Sequence, residues 1–252
     1  MSEPFAETPA WLLKRVDSTE STNDLARDLQ PWQAIAADSQ SSGRGRHRRK
    51  FVCAPGGIWL SAVVPMPGGP QRWTGLALAV GWGLLGWLQS LPGLPREARQ
   101  NARLRWPNDV MIGSKKLCGI LLEQNTNASC IVGVGINVSN NPAEDDPSLV
   151  DKTTRLSDWL PSCPTAADLI PGVLEGIAKG WGRIEKHGLA GMMSELNECW
   201  GGSSEVEVKP LEGPPVVGTL WGIDEEGAIV IRLPEGGGRT FPAHHIERMI
   251  EI

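Results

Sequence analysis

The chain has 252 residues, 40% of them hydrophobic, with 24 Lys and Arg against 29 Asp and Glu and a formal net charge of -5. That length accommodates one large domain with a well-filled core and a small second one. The acidic balance excludes sequence-independent binding of nucleic-acid phosphates as the purpose of the whole molecule, so any basic patch is local.

Residues 1–15, MSEPFAETPAWLLKR, lack the basic start and apolar run of an export signal. Ser21 or Thr22 is placed to cap a helix over residues 23–30, with Asp24 three residues after Ser21 and Leu25 and Leu29 on one face. A short strand, AIAA at 34–37, leads into the loop GRGRHRRK at 43–50, and GGIWLSAVV at 56–64 reads as a second strand.

The uncharged run 73–95 is long enough to be taken for a membrane span. Its glycines and prolines, Gln89 and Ser90 argue against that, and Leu76, Val80, Leu84, Trp87 and Leu88 recur at helical spacing, so a buried core helix is predicted. Within it, residues 81–86 match G-x-G-x-x-G, but inside an apolar helix rather than at a strand-to-helix turn; close helix packing accounts for these glycines better than a dinucleotide site.

ARLRW at 102–106 alternates as a half-buried strand does, and Pro107, Asn108 and Asp109 turn the chain. Residues 116–123 and 130–138 are two apolar strands joined by a polar turn, a predicted hairpin. A surface loop at 139–153 precedes helices at 166–187 and 189–200. Short strands with Gly and Pro turns then predict a small antiparallel barrel, dividing the chain into domains 1–203 and 204–252.

Five cysteines, odd in number and without a C-x-x-C pair, suit neither a disulfide framework nor a zinc site; reduced thiols imply the cytoplasm. His244 and His245 lack metal-ligand spacing and read as structural. With no Tyr, 11 Trp and 3 Phe, tryptophan is expected to supply much of any pocket's aromatic surface; Trp106 fits that role or a core role equally.

Two stretches carry chemistry. In the loop 43–50, Gly43 and Gly45 free the backbone to bring N–H groups toward an anion, and Arg44, Arg46, Arg48, Arg49 and Lys50 supply charge. A solvated arm or a nucleic-acid patch is the alternative. The absence of interleaved aromatics, the acidic surroundings and the nearby Gln40 tilt the reading toward a ligand site. In RWPNDVMIGSKKLCGILLE at 105–123, Asp109 lies on a turn between strands and Lys116 at a strand start, where a charged end projects over a cleft.

Taken together, STN at 21–23, Gln40 before GRGR, RK at 49–50, RWPND at 105–109, KKLCGILLE at 115–123 and GVGINV at 133–138 resemble biotin protein ligases over about residues 15–250. The resemblance implies an α+β fold, a mixed sheet flanked by helices as in class II aminoacyl-tRNA synthetases, with a C-terminal SH3-like barrel. It implies that biotin and ATP form biotinyl-5′-AMP, whose biotinyl group passes to a lysine of the biotin carboxyl carrier protein of acetyl-CoA carboxylase. Mg²⁺ would be held mainly through the ATP phosphates, with no resident prosthetic group and no nucleic-acid or membrane partner; monomer and homodimer both stay open.

Carried over by position, Lys116, Arg46 and Asp109 match the catalytic residues, Asp109 orienting the incoming lysine. Ser21, Thr22, Asn23, Gln40, Gly43, Arg44, Arg46, Lys116 and Gly119 match the biotin site, and Arg46, Arg49, Lys50, Trp106, Asn108, Lys116 and Asn137 the adenylate side. Ser18 and Thr19 compete for the S-T-N role, but only at 21–23 does Asn follow directly. Arg48 stands where the family commonly has glycine, Phe51 where Trp is frequent and Ile58 where Asn is frequent, departures that bear on how the loop orders. About twenty residues precede Ser21, too few for the helix-turn-helix module of some relatives. A lipoate or octanoate ligase or transferase is the nearest alternative, and a nucleic-acid-binding adaptor the alternative from another class.

Overall fold

Apolar runs and alternating stretches place twelve strands in the computed structural model, which describes residues 10–200 and 204–252. They are β1 (Leu12–Thr19), β2 (Gln33–Gln40), β3 (Ile58–Pro65), β4 (Ala102–Arg105), β5 (Asp109–Ile112), β6 (Lys115–Thr126), β7 (Ser129–Ile136), β8 (Glu205–Pro210), β9 (Val216–Ile223), β10 (Ile229–Arg232), β11 (Gly238–Phe241) and β12 (Ile246–Glu251). The α-helices are α1 (Thr22–Leu25), α2 (Leu76–Ser90), α3 (Arg96–Asn101), α4 (Pro142–Asp145), α5 (Ala166–His187) and α6 (Met193–Glu198).

The larger sheet runs β1-β2-β3-β7-β6-β5-β4; β1 and β2 are parallel and the other pairs antiparallel. Its central strands β3 and β7 are buried on both faces, which is why they read as continuous apolar runs rather than alternations. One face packs on α2 and α5; the other carries α1 and a smaller cluster of Ala26, Ile35, Val63 and Ile131.

Helix α2 is the expected core helix, and among the described residues no helix is long and apolar enough to cross a membrane. A Cβ at Gly83 would lie 2.1 Å from the Gly176 carbonyl oxygen of α5, so this glycine serves the close crossing of the two helices. Helix α5 begins at a reciprocal cap: Thr165 Oγ1 accepts from Asp168 N, and the Asp168 carboxylate accepts from Thr165 N.

The smaller sheet runs β11-β10-β9-β8-β12, all antiparallel, and closes over Val206, Val208, Leu220, Ile229, Ile231 and Phe241. Its core is continuous with that of the larger sheet. The expected domain boundary at 203/204 borders residues 201–203, which lie outside the described residues, as do residues 1–9 of the N-terminal reading.

Several local expectations change. Helix α1 lasts one turn, passing into a 3-10 turn at Ala26–Asp28, where a helix over 23–30 was expected. The Ser21 cap position is correct, but its side chain makes no cap bond. β1 is unforeseen because an edge strand paired with a distant segment has no clean alternation, and the short α3 offers no apolar stripe. Asp109 opens β5 instead of lying within the turn. The segment 139–153 contains α4 and a 3-10 turn, and 189–200 divides into a 3-10 turn and α6.

Candidate active site

Opposed residues in a β-ladder share a face, and this rule builds the floor of the site. Across the sheet, Trp59 faces Gly135, Gly135 faces Gly119, Gly119 faces Asp109, and Asp109 faces Arg105. In the next row Ser61 faces Gly133. Absent side chains at Gly119, Gly133 and Gly135 leave a trough with polar groups toward β3 and ionic groups toward β5 and β4. It forms part of a cavity of about 320 Å³.

The β3 side is neutral and hydrogen-bonded. Gln40 Oε1 accepts from Thr22 N at 2.6 Å and Thr22 Oγ1 at 2.9 Å, which directs Gln40 Nε2 to Cys53 Sγ at 3.0 Å. Behind them Ser61 Oγ donates toward Thr22 Oγ1 at 2.7 Å and Asn23 Oδ1 at 2.5 Å. Burial pushes the Cys53 thiol up to about 11, with the Gln40 bond opposing, so it is no thiolate near neutral pH.

The β5 side is ionic. Lys116 Nζ lies 2.6 Å from Asp109 Oδ1, and Arg105 NH2 lies 2.7 Å from Asp109 Oδ2. Burial alone would raise the Asp109 pKa; the Lys116 and Arg105 charges outweigh it and hold the carboxyl below its usual range. Gly119 permits this arrangement, since a Cβ there would meet Lys116 Nζ at 2.9 Å. The Phe51 ring covers the trough between these groups, edge-on to Trp59 at 5.9 Å, with Lys116 Nζ 5.3 Å from its centroid.

The loop 43–50 closes one side. Arg44 forks onto Asp24 at 2.8 and 2.5 Å and also reaches Glu123 at 3.0 Å, raising its pKa further and lowering that of Asp24. Arg46 donates to the Ala243 carbonyl at 2.7 Å and Arg49 to the Glu247 carbonyl at 2.9 Å. The smaller sheet thereby becomes a wall of the cavity through residues 246–249. It is further tied down by Trp106 Nε1 on the Gly227 carbonyl at 3.0 Å and by the Arg103–Glu251 ion pair at 2.5 Å. His47 and Arg48 both take left-handed backbone, φ 55° and 56°.

The sequence pattern of the biotin/lipoate A/B protein ligase family matches residues 12–141. The biotin–[acetyl-CoA-carboxylase] ligase of Mycobacterium tuberculosis is 34% identical over 211 residues, covering 82% of this chain and 74% of that protein. The chain belongs to the biotin/lipoate A/B protein ligase family. The bifunctional ligase/repressor BirA of Bacillus subtilis is 28% identical over 244 residues, 90% of this chain and 70% of that protein. In fold, the chain superposes on the biotin protein ligase from Aquifex aeolicus in complex with biotin and ATP with a TM-score of 0.81, at 24% identity, over 96% of this chain and 99% of that one.

For this family member the cavity gathers Ser21, Thr22, Asn23, Gln40, Arg44, Arg46, Arg49, Lys50, Trp106, Asn108, Asp109, Lys116, Gly119 and Asn137. Gly43 is the exception. It borders the groove on the other side of the loop, and a Cβ there would meet Cys53 Sγ at 2.4 Å, so this glycine lets the loop pack down instead of touching the cavity. Asn108 and Asn137 line the cavity with their amides already used: Asn108 Nδ2 donates to the Ile120 carbonyl at 2.5 Å, and Asn137 donates to the Thr154 carbonyl and accepts from Asn140.

Sequence reasoning missed Ser61, Arg105, Cys53 and residues 246–249. Arg105 was within the quoted motif; Ser61 looked like a small residue in an apolar strand, and only its register with Gly133 reveals its place.

Proposed function

We propose that this chain is a biotin–protein ligase that forms biotinyl-5′-AMP from biotin and ATP and transfers the biotinyl group to a lysine of the carrier protein of acetyl-CoA carboxylase. The observation that carries this reading is one trough with neutral hydrogen-bonding groups, Thr22, Asn23 and Gln40, on one side and Lys116, Arg46 and Asp109 on the other. A lipoyl ring, which has sulfurs and hydrocarbon but no carbonyl or N–H, would offer no acceptor to Asn23 Nδ2, the buried donor on this side that has no protein partner, and sites built to hydrogen-bond a ligand reject such analogues strongly.

In the first step the biotin carboxylate attacks the α-phosphorus of ATP and pyrophosphate leaves. Lys116 and Arg46 stabilise the negative charge that builds on the phosphate oxygens, for which Lys116 exchanges its Asp109 partner for the substrate. In the second step the carrier ammonium gives one proton to solvent, the neutral amine attacks the acyl carbon, the new C–N bond forms, the acyl–phosphate C–O bond breaks with its electron pair leaving on AMP, and the amide nitrogen loses its second proton to water. A carboxyl at the ordinary value of about 3.9 is already about six units more acidic than a lysine near 10.4, and Asp109 lies lower still. Asp109 therefore holds and orients the ammonium; it is a poor base for it.

Among the described residues no three His, Cys, Asp or Glu side chains gather into a metal cluster; we place Mg²⁺ on the nucleotide phosphates. The loop cations support a ligand site over a nucleic-acid arm, because Arg44, Arg46 and Arg49 are bound to partners within the protein. We assign sequences 1–203 and 204–252 as the ligase and barrel domains, and the cytoplasm as the compartment, in keeping with five free thiols. Pyrophosphate exchange into ATP tests the reading: exchange should depend on biotin, and exchange supported by lipoate or octanoate alone would overturn it.

A further inference from the structure

We propose that Ser61 is a positioning residue for ligand recognition: it fixes the orientation of Thr22 and Asn23, leaving a hydrogen-bond donor of Asn23 for the ureido oxygen of biotin. The proposal rests on the biotin reading above and extends it to a residue that does not border the cavity.

Ser61 is fully buried on β3, a polar atom in the middle of an apolar strand. Such a group persists only where it is hydrogen-bonded. Its partner across the ladder is Gly133, and the space left by the missing side chain is filled by the Asn23 amide, since a Cβ at Gly133 would lie 2.5 Å from Asn23 Oδ1. Ser61 Oγ shares its one hydrogen between Thr22 Oγ1 at 2.7 Å and Asn23 Oδ1 at 2.5 Å.

Two consequences follow from counting donors. Thr22 Oγ1, engaged by Ser61 as an acceptor, spends its own hydrogen on Gln40 Oε1 at 2.9 Å. Asn23, with Oδ1 turned toward Ser61, keeps its Nδ2 buried and without a partner, although the residue lines the cavity and is only 5% exposed. An unpaired buried donor is costly, and a ligand carbonyl oxygen would relieve it. The urea of biotin offers one; a hydrocarbon or dithiolane ring does not.

The test is a cycle of binding measurements by titration calorimetry without ATP. Wild-type protein and Ser61→Ala are each titrated with biotin and with its thiourea analogue, whose sulfur replaces the oxygen and accepts hydrogen bonds weakly. Ser61→Ala is expected to lose about tenfold or more in biotin affinity, and a clearly smaller factor for the thiourea, so the preference for oxygen shrinks. Ser61→Cys keeps the volume with a weak donor and should fall between, which gives a readable variant if alanine folds poorly.

Equal losses for both ligands would show a merely structural role and overturn the proposal, as would a Ser61→Ala protein that binds both as wild type does. Wild-type protein that binds neither ligand yet binds lipoate would overturn the biotin reading and this proposal with it.

Discussion

Lys116 and Asp109 form an ion pair at 2.6 Å in the trough, and Asp109 is simultaneously held by Arg105 at 2.7 Å. The geometry gives Asp109 two cations, so one can leave without stranding a buried carboxylate. Lys116 is thus a charge in reserve, neutralised at rest and free to move to an anionic substrate.

Lys116→Ala should therefore cost turnover far more than stability. Removing a group that stabilises developing charge typically lowers kcat by about 10²–10³, while Asp109 keeps Arg105. Single-turnover formation of the adenylate should fall by that order with Tm nearly unchanged; normal adenylation would remove Lys116 from the mechanism.

Asp109 sets a pH dependence of stability. A carboxyl whose folded pKa is depressed contributes stability above its unfolded value of about 3.9, and that contribution disappears as pH falls through the folded value. Wild-type protein should lose an increment of stability below about pH 4 that Asp109→Asn never has. The two unfolding curves, compared by urea denaturation from pH 7 to 3, should converge; curves that stay parallel would contradict the assigned pairing.

The barrel contact through Arg103 and Glu251 is partly buried, the side chains being 15% and 19% exposed. Glu251→Gln leaves the guanidinium without its charge partner and should cost about 1–3 kcal/mol. Because residues 246–249 line the cavity, it should also raise the KM for substrate while leaving kcat nearly intact. A stability loss without any KM change would separate the barrel from the site.

Arg48 stands in left-handed backbone, φ 56°, where a side chain costs about 1–2 kcal/mol relative to glycine. Arg48→Gly relieves that strain but increases chain entropy, so Tm should stay the same or rise slightly. The loop should loosen, and bound adenylate should escape sooner, read as a shorter half-life of the enzyme-bound intermediate in a filter assay. A longer half-life would show that Arg48 itself does not stiffen the loop.

Much of the site was legible because its charges interrupt apolar strands: Asp109 and Lys116 flank runs that otherwise read as core, and the loop cations cluster against an acidic background. What was not legible depends on pairing between distant segments. Arg46 meets a carbonyl 197 positions away, and no local pattern encodes that. Gly43 carried a ligand role by motif, but its neighbour is Cys53, a contact created only when the loop folds back. Helix α5 was placed correctly because its helical pattern is local, although its Thr165 cap was not read; β1 was missed because its stability comes from parallel pairing with β2.

The central claim is that this trough activates biotin and delivers it to a carrier lysine. The most direct measurement is mass spectrometry of an unmodified biotin carboxyl carrier domain after incubation with the protein, ATP, Mg²⁺ and biotin. An ATP-dependent biotin adduct on one carrier lysine, lost with Lys116→Ala, is the predicted result. No adduct with biotin, alongside an adduct with lipoate or octanoate on a lipoyl carrier domain, would contradict it.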